Sequence, residues 1–298
     1  MFNGLAVMLP ALGVRGFLMQ PEITAYRHPA TGTVTYLIVD PATFLCAIVD
    51  PVLDFDPVTE AVDTSFVDGI IADIRAKDLG PTWILETGLH MGHVSAAGHL
   101  KYETGASVCI GAGVVESLKR LAPKFGETMV DLDGWDFDKL AQDGEAFPMG
   151  GVEFTPIALT GRLPGAVAYR MGDVLFTGDL MLSPGEGAGR CDIPGADAGK
   201  AWDDARKFLK LPPQTRVLPG VCAGETCEST IGEEKTANIQ LNDTIDRLDF
   251  IALRTAADAF LPDPVLAPAA LRVAIRSGKL PSEPESGPRF PPVDITKL

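Results

Sequence analysis

With 298 residues, 46% of them hydrophobic and 22% charged, the chain has the composition of a compact soluble protein, which sets disordered and fibrous classes aside. A formal net charge of −15 argues against a nucleic-acid partner, because binding phosphates draws on clustered Lys and Arg. No stretch approaches the roughly 18 uninterrupted apolar residues of a membrane span, and five cysteines, an odd number, suit reduced thiols in the cytoplasm.

The opening "MFNGLAVMLPALGVRGFLMQ" is apolar, but no basic residue precedes its apolar run and Pro10, Gly13 and Arg15 break it, which makes a poor signal peptide. Residues 1–21 are expected to be an arm that packs on the domain or on a second subunit, so a homodimer is expected. "TVTYLIVD" and "FLCAIVD", rich in β-branched and aromatic residues and separated by "PAT", predict a hairpin. "FVDGIIADIRAKDLG" has apolar residues at helical spacing and closes on Gly80. "PTWILETG" predicts a buried strand leading into a His-bearing turn, "HVSAAGHLKYETGA" a helix, and "SVCIG" a strand. In the second half "VEFTPIAL", "AVAYRM", "DVLFTGD" and "TRVLPG" predict strands, "AGKAWDDARKFLKL" a helix, and residues 229–254 a helix with one break. Two β-rich halves with helices outside predict an α/β four-layer αββα sandwich over residues 22–260. The Pro-rich stretch 261–298 is expected to be an extended tail with a short helix near "PAALRVAIRSG".

"AIVDPVLDFD", "WILETGLHMGHVSAAGHLKYETGA", "GDVLFTGDLM", "GRCDIPGADA" and "IRSGKLP", in that order, resemble the metallo-β-lactamase fold superfamily. The likeness is to its persulfide dioxygenase and β-lactamase-like hydrolase branch, near glyoxalase II, and runs from about residue 22 to the C-terminus. The resemblance implies a His-x-His-x-Asp-His loop, a later His in a Gly-His turn, a bridging Asp and a final His. Those places hold Gly88, His90, Gly92 and His93, then Arg162, Asp179 and Val221, so His90, His93 and Asp179 alone are retained. Both zinc positions of such a site would be short of the three protein ligands a catalytic zinc wants. A mononuclear iron site would lose two of its three ligands, Gly88 and Arg162 standing in their places. Arg162 is expected to repel a divalent cation and to pair with Asp179 in its stead. No resident metal is therefore expected, or at most zinc or iron at sub-stoichiometric occupancy.

Arg190 matches a segment near substrate entry in thiol-using members, where its guanidinium would suit a carboxylate of a glutathione-like thiol or thioester; a loop-fixing pair with Asp192 is the alternative. Cys191 is expected to be a packed loop thiol, with a reactive thiol as the alternative, and His99 a surface or packing residue. The four-residue gap between Cys222 and Cys227 is weak evidence for a redox or metal pair. Asp50, Asp54 and Asp56 are expected to be turn residues without chemistry, and Glu233, Glu234 and Lys235 a solvated helix face.

Three functions are open at this point. The first is a binding or scaffold protein, a pseudoenzyme that has lost the ancestral metal chemistry. The second is a metal-dependent hydrolase or sulfur-handling enzyme with a site rebuilt from His90, His93, Asp179 and Cys222, activating water at the metal. The third is metal-free catalysis, with a His as base and Arg162 steadying an oxyanion.

Overall fold

The computed structural model describes residues 20–224, 227–262, 264–282, 288–291 and 293. Most of the expected N-terminal arm and parts of the tail lie outside the described residues. The run VTYLIV forms a wholly buried strand, Val34–Val39, paired antiparallel with Glu22–Arg27 on one side and Leu45–Val49 on the other. The sheet continues through Gly80–Leu85, Ser107–Gly111 and Lys139–Ala141, all parallel to Leu45–Val49. A second six-stranded sheet is ordered Phe147–Met149, Val152–Ala158, Val167–Met171, Val174–Gly178, Arg216–Pro219 and Ser229–Thr230.

Side chains alternate across a strand, and the alternation assigns each residue to a layer. Tyr36 and Ile38 of the first sheet meet Tyr169, Met171 and Phe176 of the second in a core between the sheets. Leu37, Val39 and Ile48 turn the other way, onto an outer core with Val67, Ile70, Ile71 and Ile74 of the helix Ser65–Ala76. Ala168, Leu175 and Val217 face a third core built with the helices Ala198–Phe208 and Arg247–Asp258. Three apolar layers between four layers of structure give the expected αββα sandwich. The helix Ala267–Ala274 and Phe290 add to the first outer core.

Several local expectations are corrected. The helix after the His-bearing turn starts only at Ala97, because Val94–Ser95 is drawn into pairing with Val52 and Leu53. The helix Val114–Leu121 was not anticipated. The stretch 229–254 gives two helices, Ile231–Ala237 and Arg247–Asp258. Between them the Asn238 side-chain oxygen accepts from the amides of Gln240 and Leu241 and ends the first. Cys222 and Cys227 are joined in a disulfide, against the expectation of reduced thiols, their Cα atoms standing 5.4 Å apart, within reach of such a bond.

Glu234 is not on a solvated face. It has no exposed surface, and Ser229 and Asn238 donate to its two oxygens. Burial raises its carboxyl from 4.5 to about 7. Between those values the folded protein holds a proton that the unfolded chain has released, so this group costs stability as pH rises through the window. Glu234→Gln is expected to remove that slope and to gain about 2 to 3 kcal/mol near pH 8 in urea unfolding. An unchanged slope would contradict it. No helix among the described residues is long and apolar enough to cross a membrane.

Candidate functional site

The site forms where the ends of the strands Leu45–Val49, Gly80–Leu85 and Val174–Gly178 converge. Asp50 follows the first with a positive φ of 48°, a backbone state Asp tolerates better than most residues. Thr87 donates to its carboxylate from both amide and hydroxyl, each at 2.7 Å. Gly178 is required here: a Cβ on it would lie 2.5 Å from the Thr87 hydroxyl.

His90 sits between two carboxylates. Its Nε2 is 3.1 Å from Asp50 Oδ1, and its Nδ1 is 3.3 Å from Asp179 Oδ2. An imidazole can donate from both nitrogens only as the cation. Burial alone would push His90 down, but the charges of Asp50 and Asp179 and their hydrogen bonds outweigh it and hold the ring well above its ordinary value. Arg162 Nη2 lies 3.6 Å from the same Asp179 oxygen, while Nη1 donates to the Arg190 carbonyl. Burial would raise Asp179; the His90 charge and hydrogen bond, then Arg162, hold it well below the usual carboxylate range. The pocket bounded by Thr87, Gly88, His90, Arg162, Asp179 and Ile193 encloses about 20 Å³, room for about one water.

His93 lies behind His90, ring centroids 4.5 Å apart, and its buried Nε2 has no hydrogen-bond partner among the described residues. Burial, then the neighbouring His90 charge, lowers it to about 3, so it is neutral. Glu86, at the strand end, accepts from Ser95 and is raised to about 7 by burial and then by the charge of Asp50. The ligand atoms of Glu86, His90 and His93 lie within 4.8 Å of one another. They are close enough to converge on one cation, and the open Nε2 of His93 fits such a role. The expectation that no metal is held is therefore not supported by this donor set. For the set to act, His90 would have to give up a carboxylate and Glu86 its proton. Retention of His93 without a metal predicts that His93→Leu leaves urea stability unchanged or raises it by about 1 kcal/mol, since it deletes an unpaired buried polar atom. A loss beyond about 2 kcal/mol would mean that the ring is satisfied by a ligand.

The other expected site residues are dispersed. Cys222 cannot supply a thiolate ligand because its sulfur is bonded to Cys227. The Arg190 fork is directed at Asp192, with two contacts of 2.7 Å, and Nη1 donates to the Pro262 carbonyl. Burial raises the Cys191 thiol, which disfavours the reactive thiolate. His99 Nε2 pairs with Asp68 at 2.8 Å on the surface. Sequence reasoning missed Asp50 and Glu86; the one available signal was that each closes a buried apolar run.

A comparison with family models matches residues 29–221 to the Metallo-beta-lactamase superfamily. A beta-lactamase hydrolase-like protein of Xylella fastidiosa is 34% identical over 281 residues, 93% of this chain and 65% of that protein, so the chain spans about 65% of the length of this relative. Glyoxylase B2 of Dictyostelium discoideum is 34% identical over 290 residues, 93% of this chain and 97% of that one. The crystal structure of ETHE1 from Myxococcus xanthus superposes with a TM-score of 0.70 at 26% identity, covering 87% of this chain and all of that one. The αββα sandwich, the strand-end cluster around Asp179 and these matches agree, and the chain belongs to the Metallo-beta-lactamase superfamily.

Proposed function

We propose that this chain is a metal-independent member of its hydrolase-like family, a binding or scaffold protein whose cleft is completed by its own charges. The observation that carries this is the sharing of Asp179 between His90 and Arg162. A cation's charge is supplied there by two side chains, and a further ion would meet like charge on both. The small volume of the pocket weighs the same way: about 20 Å³ does not accommodate a thioester or a glutathione-like thiol, so such a ligand would have to bind at the mouth or elsewhere.

A second proposal is favoured by one specific observation, the unpartnered Nε2 of His93 beside Glu86 and His90. In it these three groups would hold zinc or iron, which would supply Lewis acidity for water activation. His93 would be a ligand, His90 would turn toward it, and Asp50 would fix the His90 ring through Nε2. Arg162 would then steady an anionic substrate group.

An assay on glutathione thioesters, lactones and glutathione persulfide, with and without added zinc or ferrous iron, separates the two. The first proposal expects rates equal to those of buffer plus metal. Turnover that disappears in His93→Ala would overturn it and support the second.

A further inference from the structure

A second cavity lies apart from the Asp179 pocket and shares no lining residue with it. It encloses about 440 Å³, a volume that takes a small molecule, and its lining is mostly apolar, with Leu53, Phe55, Val94 and Leu266 in it. Every lining residue lies among the described ones.

One wall is the hairpin of the strands Val52–Phe55 and Val62–Asp63, in which Asp54 stands directly opposite Asp63. Asp56 N donates to the Ala61 carbonyl at 3.0 Å and continues the pairing. Opposite residues share a face, and so do residues two apart along a strand. Asp54, Asp56 and Asp63 all line the cavity, so the hairpin gathers three carboxylates on one side of it. A turn role, expected for Asp54 and Asp56 from the sequence, does not account for that gathering. Like charges placed opposite each other destabilise a hairpin. No Lys or Arg lines the cavity, and among the described residues neither Asp56 nor Asp63 has one as a partner. Hydrogen bonds from Ser65 hold Asp63, and those from the amides of Val58 and Thr59 hold Asp56, below the ordinary carboxylate value, so both are ionised at neutral pH. Asp54 is fixed in place by His28 Nε2 at 2.9 Å and by the Phe66 amide at 3.0 Å.

We propose that this cavity binds a primary alkylamine, with the ammonium among the carboxylates of Asp54, Asp56 and Asp63 and the hydrocarbon body on the apolar lining. An ammonium brings three donors and a positive charge to groups that only accept. The alkyl chain gains by leaving water. An anionic ligand would meet like charge, and a bare divalent cation would leave the apolar lining unused. The site does not depend on what occupies the Asp179 pocket.

The test uses the full chain in calorimetric titrations at neutral pH, with hexylamine as probe and hexanol and hexanoate as controls. Hexylamine is expected to bind saturably, at least about tenfold more tightly than hexanol, with an affinity that falls as salt is raised, and hexanoate is expected not to bind. Asp56→Asn with Asp63→Asn is expected to lose about tenfold in hexylamine affinity with urea stability unchanged or higher, because each Asn keeps an oxygen for the amides its Asp serves. The proposal is overturned by a lack of saturable hexylamine binding, by hexanol or hexanoate binding as tightly, or by undiminished affinity in the double variant. Should that variant not fold, the three probes on the unaltered chain decide alone.

Discussion

Arg162→Met is expected to destabilise the protein by about 2 kcal/mol near pH 7, read from urea unfolding. The substitution keeps most of the apolar stem and removes the guanidinium, leaving Asp179 with His90 as its remaining cationic partner. Truncating one member of a fully buried pair costs about 3 to 5 kcal/mol; the lower figure applies because Asp179 keeps 25% of its side-chain surface exposed. Arg162→Met with Asp179→Asn is expected to recover about half of the loss, since the group that has lost its guanidinium then carries no charge. The pH dependence has a definite sign. Asp179 is depressed from 3.8, so the stability it contributes is present above that value and is lost as pH falls toward the lowered one. His90 is raised above 6.5, so its contribution is full below that value and is lost as pH climbs through the raised one. The cluster is therefore most stabilising between 3.8 and 6.5. The Arg162→Met penalty should shrink in acid, where a protonated Asp179 no longer needs a cation. A penalty independent of pH would assign Arg162 a packing role only.

A larger effect is expected from Gly88→His, Gly92→Asp and Arg162→His combined, the positions at which the family's ligands are implied. Space permits it. A Cβ on Gly88 meets Ala166 Cα at 3.4 Å, an ordinary contact, and a Cβ on Gly92 meets nothing within 4 Å. The triple variant is expected to bind about one to two equivalents of zinc and to gain thermal stability in its presence. Gly88→His with Gly92→Asp, keeping Arg162, is the informative control. If the guanidinium beside Asp179 is what excludes a cation, this double variant should bind zinc at least about tenfold more weakly than the triple. Equal affinity would show that ligand number alone decides.

The sandwich was legible because its strands carry strong signals: VTYLIV and its hairpin partner are dense in β-branched and aromatic residues, and the Ser65–Ala76 helix repeats its apolar residues at helical spacing. Boundaries were less so. Val94 and Ser95 read as helix until the pairing with Val52 and Leu53, some forty residues back, claimed them. His90, Arg162 and Asp179 were legible through a resemblance and not through periodicity, and the fold does bring the three together. Asp50 and Glu86 were not, since an Asp before Pro at a strand end has a sufficient local explanation as a turn. Their chemistry arises from burial: Asp50 meets Thr87 and His90 across the sheet, and Glu86 is enclosed with Ser95. Glu234 escaped notice for the same reason, because a helical "EEK" gives no sign of which Glu faces inward. The Cys222–Cys227 bond depends on a loop closure that spacing does not determine.

Under the proposed metal-independent reading, His90 and Arg162 supply the charge a metal would otherwise bring to Asp179. Elemental analysis of the full chain, purified without chelator and after incubation with zinc or ferrous iron followed by desalting, tests it most directly. Well under one equivalent of either metal is the predicted result. A full equivalent that is lost in His90→Ala and His93→Ala would contradict it.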